Sequence, residues 1–423
     1  MVRKMWQIYC NSINPLTKLL HVPTVQKMVD SAVSDTASLS RASEALLFAI
    51  YAAAVMSLQE DICHDTLGEQ RSVLLPQYLA TTEAALARAG VLGTSDMVVL
   101  QAFLVYLLAV RDRYTPRAVW TLTGVAMRIA KSMGLDRDGQ SSGLSPFDIE
   151  MRRRLWWQLR MHDFRTAELC GRPKFEGLVE MDSPVLSNMS SFPTQWPANV
   201  NDADLSPDMP GPPFPPLGEA STATDAIFVA VKCELLRFTA QRLAKMQRSR
   251  DQNESPWTLY SSLAEDGNLQ TLENHLETRY LRYCDPSRPL HLMATLMVRC
   301  ALNILRFMAR HPRRPLPETS DDDRRTTFNL CLAILDQQNL LQSNPHLRTF
   351  AWHAPFFQQW HALLHVLDTL RADPSMGQAT RAWDLLGKTY ANNAEMQTPR
   401  KTVHIVVVGL DWEQWDTWLG TVQ

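Results

Sequence analysis

Two histidines four residues apart, in His361-Ala362-Leu363-Leu364-His365, carry the clearest metal-ligand spacing in the chain. On a helix these positions share a face one turn apart, and two imidazoles there can grip zinc. The metalloprotease form of this pattern needs a glutamate directly after the first histidine as general base. Residue 362 is alanine, and no spacing fixes a third ligand. The expectation is no metal and no cofactor. The segment instead suggests an apolar pocket walled by Trp352, Phe356, Phe357 and Trp360, with His353, His361 and His365 as its few polar groups. Trp352, His353, Phe357, Trp360, His361 and His365 are therefore the candidates for binding a small-molecule effector.

A second concentration of chemistry lies in Glu150-Met151-Arg152-Arg153-Arg154-Leu155-Trp156-Trp157, with Asp163 six residues on and Gly171-Arg172-Pro173 beyond. Consecutive arginines point to different faces of a helix, so they cannot all meet one partner. Arg154, Trp157, Asp163 and Arg172 could line an effector site, or form a buried ion-paired staple with the tryptophans filling the core. Tryptophan and paired arginine at helical spacing are more often architecture. The four are read as a structural motif, with Asp163 as the charge partner of a buried arginine.

Other chemistry is not encoded in recognisable form. The sequence has no Walker A motif, no GxGxxG after a strand and no GxSxG nucleophile elbow. Asp321-Asp322-Asp323 suits the negative start of a helix. Seven cysteines lie far apart without a CxxC pair, as expected for reduced core residues in an intracellular protein. A formal net charge of −2 and a pI of about 6.6 do not supply the basic face of a free-standing DNA-binding module, so no specific DNA binding by this chain is expected. The N-terminus lacks an apolar signal run, and Val98 to Val110 is interrupted by Gln101 and ended by Arg111. A soluble chain without a membrane span is expected.

These residues need elements to hold them, and helical periodicity dominates. Helices are expected over Arg41 to Gln59, Leu74 to Ala89, Met97 to Val110 and Pro116 to Met133, the last stopped by Gly134. Ser145 caps the next, which runs to Cys170. Later helices are expected over Asp225–Arg248, Trp257–Tyr280, Leu290–Arg310, Asp323–Gln342, Phe350–Arg371 and Gln378–Asn392. Val403 to Val408 is too short for periodicity to decide between strand and buried helix. Ten prolines fall in 173–217, which excludes regular helix through much of it. The expected fold is all-α: a large helical array with a proline-rich connection between two halves. The N-terminal half is 1–172, the connection 173–221, and the C-terminal half 222–423, packed on the first.

Within this frame a run of motifs stands in fixed order. Gly124-x-Ala126-x-Arg128-Ile129-Ala130 leads to Met133-Gly134-Leu135-Asp136-Arg137-Asp138, then the Glu150–Trp157 block, Gly171-Arg172-Pro173, and Asn199-Val200-Asn201-Asp202. Met5-Trp6, Asn14 to Lys18 and His21-Val22-Pro23 precede them, and Trp383 follows. This pattern resembles the regulatory middle homology region of fungal-specific transcription factors, in which a histidine usually stands where this chain has Asp136. The resemblance implies a nuclear transcriptional regulator, of the kind found in secondary-metabolite gene clusters. Such factors carry a six-cysteine zinc cluster, and here the similarity begins within the first thirty residues. The expectation is a regulatory domain without its own DNA-binding cluster, acting through a DNA-binding partner, responding to a small-molecule effector and forming a homodimer. The alternative is a cytoplasmic, stand-alone biosynthetic enzyme, such as a cyclase, that reuses the helical fold as a pocket.

Overall fold

The computed structural model describes residues 1–35, 39–111, 113–139, 143–170, 194–211, 223–248, 266–310 and 320–393. Among these residues helices carry the whole fold and no strand occurs. Most of the proline-rich connection, Arg172 and the segment Val403–Val408 lie outside them. The chain divides into two units, one of 1–249 with 277–291 and one of 250–276 with 292–423.

The first unit contains α1 (Val2–Ser12), α2 (Asn14–Thr17), α3 (Val22–Ser34), α4 (Arg41–Ser57), α5 (Glu60–Leu67), α6 (Arg71–Arg88), α7 (Met97–Val110), α8 (Pro116–Ser132), α9 (Pro146–Leu169) and α10 (Ile227–Arg248). Its centre is α4, packed against α1, α6 and α7. The small side chains of Ala49, Ala52, Ala53 and Ala54, all fully buried, let neighbouring backbones approach closely. Helix α7 is apolar on all sides and buried along most of its length, as such a helix must be in water.

Helix ends follow sequence chemistry. The Ser145 hydroxyl accepts from the Asp148 amide at 3.1 Å, and Pro146 occupies the first turn of α9. At the end of α8, Gly134 takes a φ of +69°, a conformation that costs glycine little. The Leu135 amide then reaches the Ala130 carbonyl and the Gly134 amide reaches that of Lys131, both at 3.0 Å. This double closure satisfies carbonyls that would otherwise be orphaned and turns the chain toward α9.

In the second unit the core is built by α13 (Asp321–Ser343), α14 (Trp360–Ala372) and α15 (Ala379–Asn392), together with Cys300 and Phe307 of α12 (Pro289–Ala309). The helix preceding α12, Asp266–Arg279, is α11. By length and composition α12 could cross a bilayer. It carries Arg299 and Arg306, and half of its apolar window is buried inside the protein, which suits a core helix.

One expected helix is corrected. Phe350–Arg371 is not continuous: Pro345–His353 and Pro355–Phe357 are 3-10 turns, and α14 begins only at Trp360. Pro355 donates no amide hydrogen for an α-helical bond, and the chain leaves helical geometry at Gln358, where ψ is 132°, so the apolar periodicity there does not propagate one α-helix.

Candidate functional site

Helix α9 is buried on nearly every side, so each polar group it carries needs a partner inside the protein. The three consecutive arginines solve this in three directions. Arg152 donates to the Met133 carbonyl at 2.8 Å, at the end of α8. Arg153 forms a fork with Asp138, Nε to Oδ1 at 2.8 Å and Nη2 to Oδ2 at 2.7 Å. Arg154, wholly buried, meets Glu150 one turn back at 3.1 Å and Asp202 at 2.6 Å.

Asp202 is the hub. Its carboxylate also receives the Lys18 ammonium at 3.2 Å, and Lys18 reaches Asp225 at 2.7 Å. Lys18 stands at φ +48° at the end of α2, a left-handed position that costs a lysine about 1 kcal/mol and here aims its ammonium inward. The His21 Nε2 donates to the Asp202 carbonyl at 2.9 Å, which leaves Nδ1 to accept from Thr24 at 2.7 Å. The Ala198 amide donates to Glu150 at 3.1 Å. Two chain segments distant in sequence, around Lys18 and Arg154, therefore converge on the Asp202 carboxylate, and Lys18 ties it to Asp225.

Charge follows from this geometry. Burial works to raise the Asp202 pKa, but Arg154 and Lys18 outweigh it and hold the carboxyl below its ordinary value. Burial keeps Glu150 above its ordinary value despite Arg154. Asp163, expected as the charge partner of a buried arginine, does not pair with Arg154, whose partners are Glu150 and Asp202: nine residues along one helix is about 13.5 Å of rise, beyond side-chain reach. Asp163 is half-buried, and burial raises its pKa.

Trp157, 1% exposed, stacks on Trp196 with ring centroids 3.6 Å apart and donates its indole hydrogen to the Gln195 carbonyl at 2.8 Å. The segment 194–202 is thus an extended strap fastened along α9 by Trp157, Glu150 and Arg154. At Asp136, where the family pattern has histidine, the backbone carbonyl accepts from the Thr194 amide at 3.3 Å.

Also on α9, His162 is buried, and desolvation, then the charges of Arg111 and Lys232, push its pKa down to about 3. In the unfolded chain it titrates near its ordinary value of about 6.5. Unfolding therefore takes up a proton below that pH, so His162 stabilises fully above about 6.5 and progressively less as pH falls toward its folded value. Moving from pH 7 to 5 is expected to cost about 2 kcal/mol through His162. His162→Gln should flatten that part of the pH dependence of the urea midpoint; an unchanged slope would reject the assignment.

The sequence-derived ligand candidates lie in the second unit. Trp352 and His353 are buried, Phe357, Trp360 and His365 half-buried, and His361 exposed. His353 stacks on Phe357 at 4.4 Å and meets Trp352 edge-on at 5.6 Å. His365 instead packs beside Phe307 at 5.7 Å, and burial lowers its pKa. Trp352, His353 and Phe357 thus form one cluster, with Phe356 edge-on to Phe357 at 5.1 Å. His361 and His365 lie on α14 rather than on the turns that hold His353. Among the described residues no group of three or more histidine, cysteine, aspartate or glutamate side chains could hold a metal.

Sequence reasoning missed the polar half of this cluster. Gln338 of α13, 3% exposed, donates to the Phe357 carbonyl at 3.3 Å, and Gln342 one turn on donates to Gln358 at 3.4 Å. The side-chain carbonyls of Gln338 and Gln342 are buried without a hydrogen-bond partner. A buried acceptor left so costs about 1–3 kcal/mol. The only signal available in sequence was the i, i+4 spacing of two glutamines on an otherwise apolar face.

Comparison with known proteins places this architecture. Residues 6–216 match the family described as fungal specific transcription factor domain. The aurofusarin cluster transcription factor of Gibberella zeae is 32% identical over 396 residues, covering 92% of this chain and 56% of that protein. A pyriculol/pyriculariol biosynthesis cluster transcription factor of Pyricularia oryzae is 38% identical over 238 residues, covering 56% of this chain and 30% of that protein. A C6 finger domain transcription factor of Aspergillus niger is 26% identical over 412 residues, covering 92% of this chain and 50% of that protein. The chain spans about half the length of the curated relatives it matches.

Proposed function

The chain belongs, through residues 6–216, to the fungal specific transcription factor domain family, and we propose that it is the regulatory body of a nuclear transcriptional regulator of a secondary-metabolite gene cluster. The observation that carries this reading is the extent of the similarity. It continues past residue 216 and covers 92% of the chain in relatives described as cluster transcription factors. The ion-paired interior of the first unit suits a rigid body, since each buried charge there is held by an opposite one. Promoter contact falls to a zinc-cluster module outside this sequence, carried by a partner protein or by a longer chain. The aromatic and amide cluster of the second unit receives a small-molecule effector, and a second copy of the chain is the expected assembly partner.

Deleting the gene in its host tests the reading. Transcripts of a set of neighbouring biosynthetic genes should fall severalfold, measured by quantitative reverse transcription. Unchanged transcripts accompanied by accumulation of an unprocessed intermediate would overturn it in favour of an enzyme.

A further inference from the structure

The second unit holds a combination with a specific chemical meaning: two buried amide carbonyls, Gln338 Oε1 and Gln342 Oε1, beside the aromatic cluster of Trp352, His353, Phe356 and Phe357. The orientation of Gln338 is fixed by its surroundings, because its amide nitrogen donates to the Phe357 carbonyl and its oxygen must face elsewhere. Gln338 also donates to the sulfur of Cys300 at 3.7 Å, and Cys300 is buried, which pushes its thiol up to about 11 with Gln338 opposing the shift. We propose that this cluster binds a neutral, planar, hydroxylated aromatic molecule whose hydroxyls donate to Gln338 and Gln342. The proposal rests on the effector-responsive reading above and gives that effector its chemical class.

Each requirement comes from a named group. The orphaned atoms are acceptors, so the ligand must bring donors. They are uncharged amides, so they offer a cation no counter-charge and an anion no attraction. Gln338 and Gln342, four residues apart on α13, are separated by about 6 Å along the axis. Two donors that far apart are wider than neighbouring hydroxyls on a single ring, which favours hydroxyls para to one another or on different rings of a fused system. The rings packed edge-on and stacked on one another, joined to Gln338 through the Phe357 carbonyl, supply the apolar contact that such a flat body needs. Access has a structural basis too. The cover over the glutamines is the 3-10 run Pro345–His353 and Pro355–Phe357, closed by i to i+3 bonds such as Phe357 to Ala354 at 3.0 Å. Such bonds have poorer geometry than those of an α-helix, and runs this long are uncommon. Segments of this kind open locally at lower cost than core helices.

The test is calorimetric titration of the full 423-residue chain with 1,5-dihydroxynaphthalene, using naphthalene as the control. The diol should bind at least about tenfold more tightly than the hydrocarbon, because a site built for hydroxyls is left unpaired by an analogue without them. Gln338→Leu and Gln342→Leu should each weaken the diol by about tenfold and leave naphthalene unaffected. Gln342 is only partly buried, so its variant serves if Gln338→Leu fails to fold. Absence of diol binding, equal binding of diol and hydrocarbon, or full affinity in the Gln342→Leu chain would overturn the proposal. Its failure is separable from that of the regulatory reading. Lost binding with transcripts that still depend on the gene rejects the ligand class alone, while retained binding with unaffected transcripts rejects only the regulator.

Discussion

Asp202→Asn is expected to lower the stability of the first unit by about 3–5 kcal/mol, the range for removing one partner of a buried charge pair. The substitution keeps shape and volume, so the loss is electrostatic. Arg154 retains Glu150, but Glu150 alone then faces a guanidinium that two carboxylates had shared. Lys18 retains Asp225, but that side chain is 43% exposed, so solvent screens its charge and it holds the ammonium more weakly than the buried hub did. The pH dependence gives a second, independent readout. Because the folded carboxyl of Asp202 is held below its ordinary value, its contribution is present above the usual carboxylate range and lost as pH falls through the folded pKa. The Asn variant should lack that acid-induced loss. Asp163→Asn is the control: it pairs with none of these cations, and its folded pKa is raised by burial, so its urea midpoint should stay within about 1 kcal/mol of the parent. A large loss for Asp163→Asn and none for Asp202→Asn would reject the hub.

These residues also show what sequence could and could not reveal. The helices around α9 were legible because each rests on local rules: Ser145 as cap, Gly134 as left-handed stop, Leu46, Leu47, Ile50 and Ala54 at helical spacing and all buried. The burial of Arg154 and Trp157 was legible in kind, from large and charged residues at core spacing. The partner of Arg154 was not. Glu150 lies at i−4 and could have been paired by spacing, whereas Asp202 is 48 residues away and reaches Arg154 only because the strap 194–202 doubles back along α9. Lys18, at φ +48°, is still less predictable, since nothing in its neighbours announces a left-handed lysine. In the second unit the aromatic run was visible, but periodicity alone made it a helix, whereas it folds as 3-10 turns that end where Gln358 turns extended. That break brought the Phe357 carbonyl to Gln338.

Trp157→Ala is expected to cost about 3–5 kcal/mol, the range for deleting a large buried aromatic side chain. Three losses combine in it. The indole is 1% exposed, so its removal leaves a cavity between α9 and the strap. The stacked contact with Trp196 at 3.6 Å disappears, and the Gln195 carbonyl loses its donor. Trp157→Phe separates these effects: it keeps an aromatic face against Trp196 but not the indole hydrogen, and should cost about 1–3 kcal/mol, the range for a buried acceptor left unpaired. Thermal and urea unfolding of the two variants measure the difference. If the strap is fastened chiefly through Trp157, Trp157→Ala should also free its neighbours, which hydrogen exchange would report as faster amide exchange at Gln195 and Ala198 than in the parent chain. Unchanged melting in Trp157→Ala, joined to lost transcriptional output in the host, would instead mean that Trp157 contacts an effector and that the Arg154 block is not mere architecture.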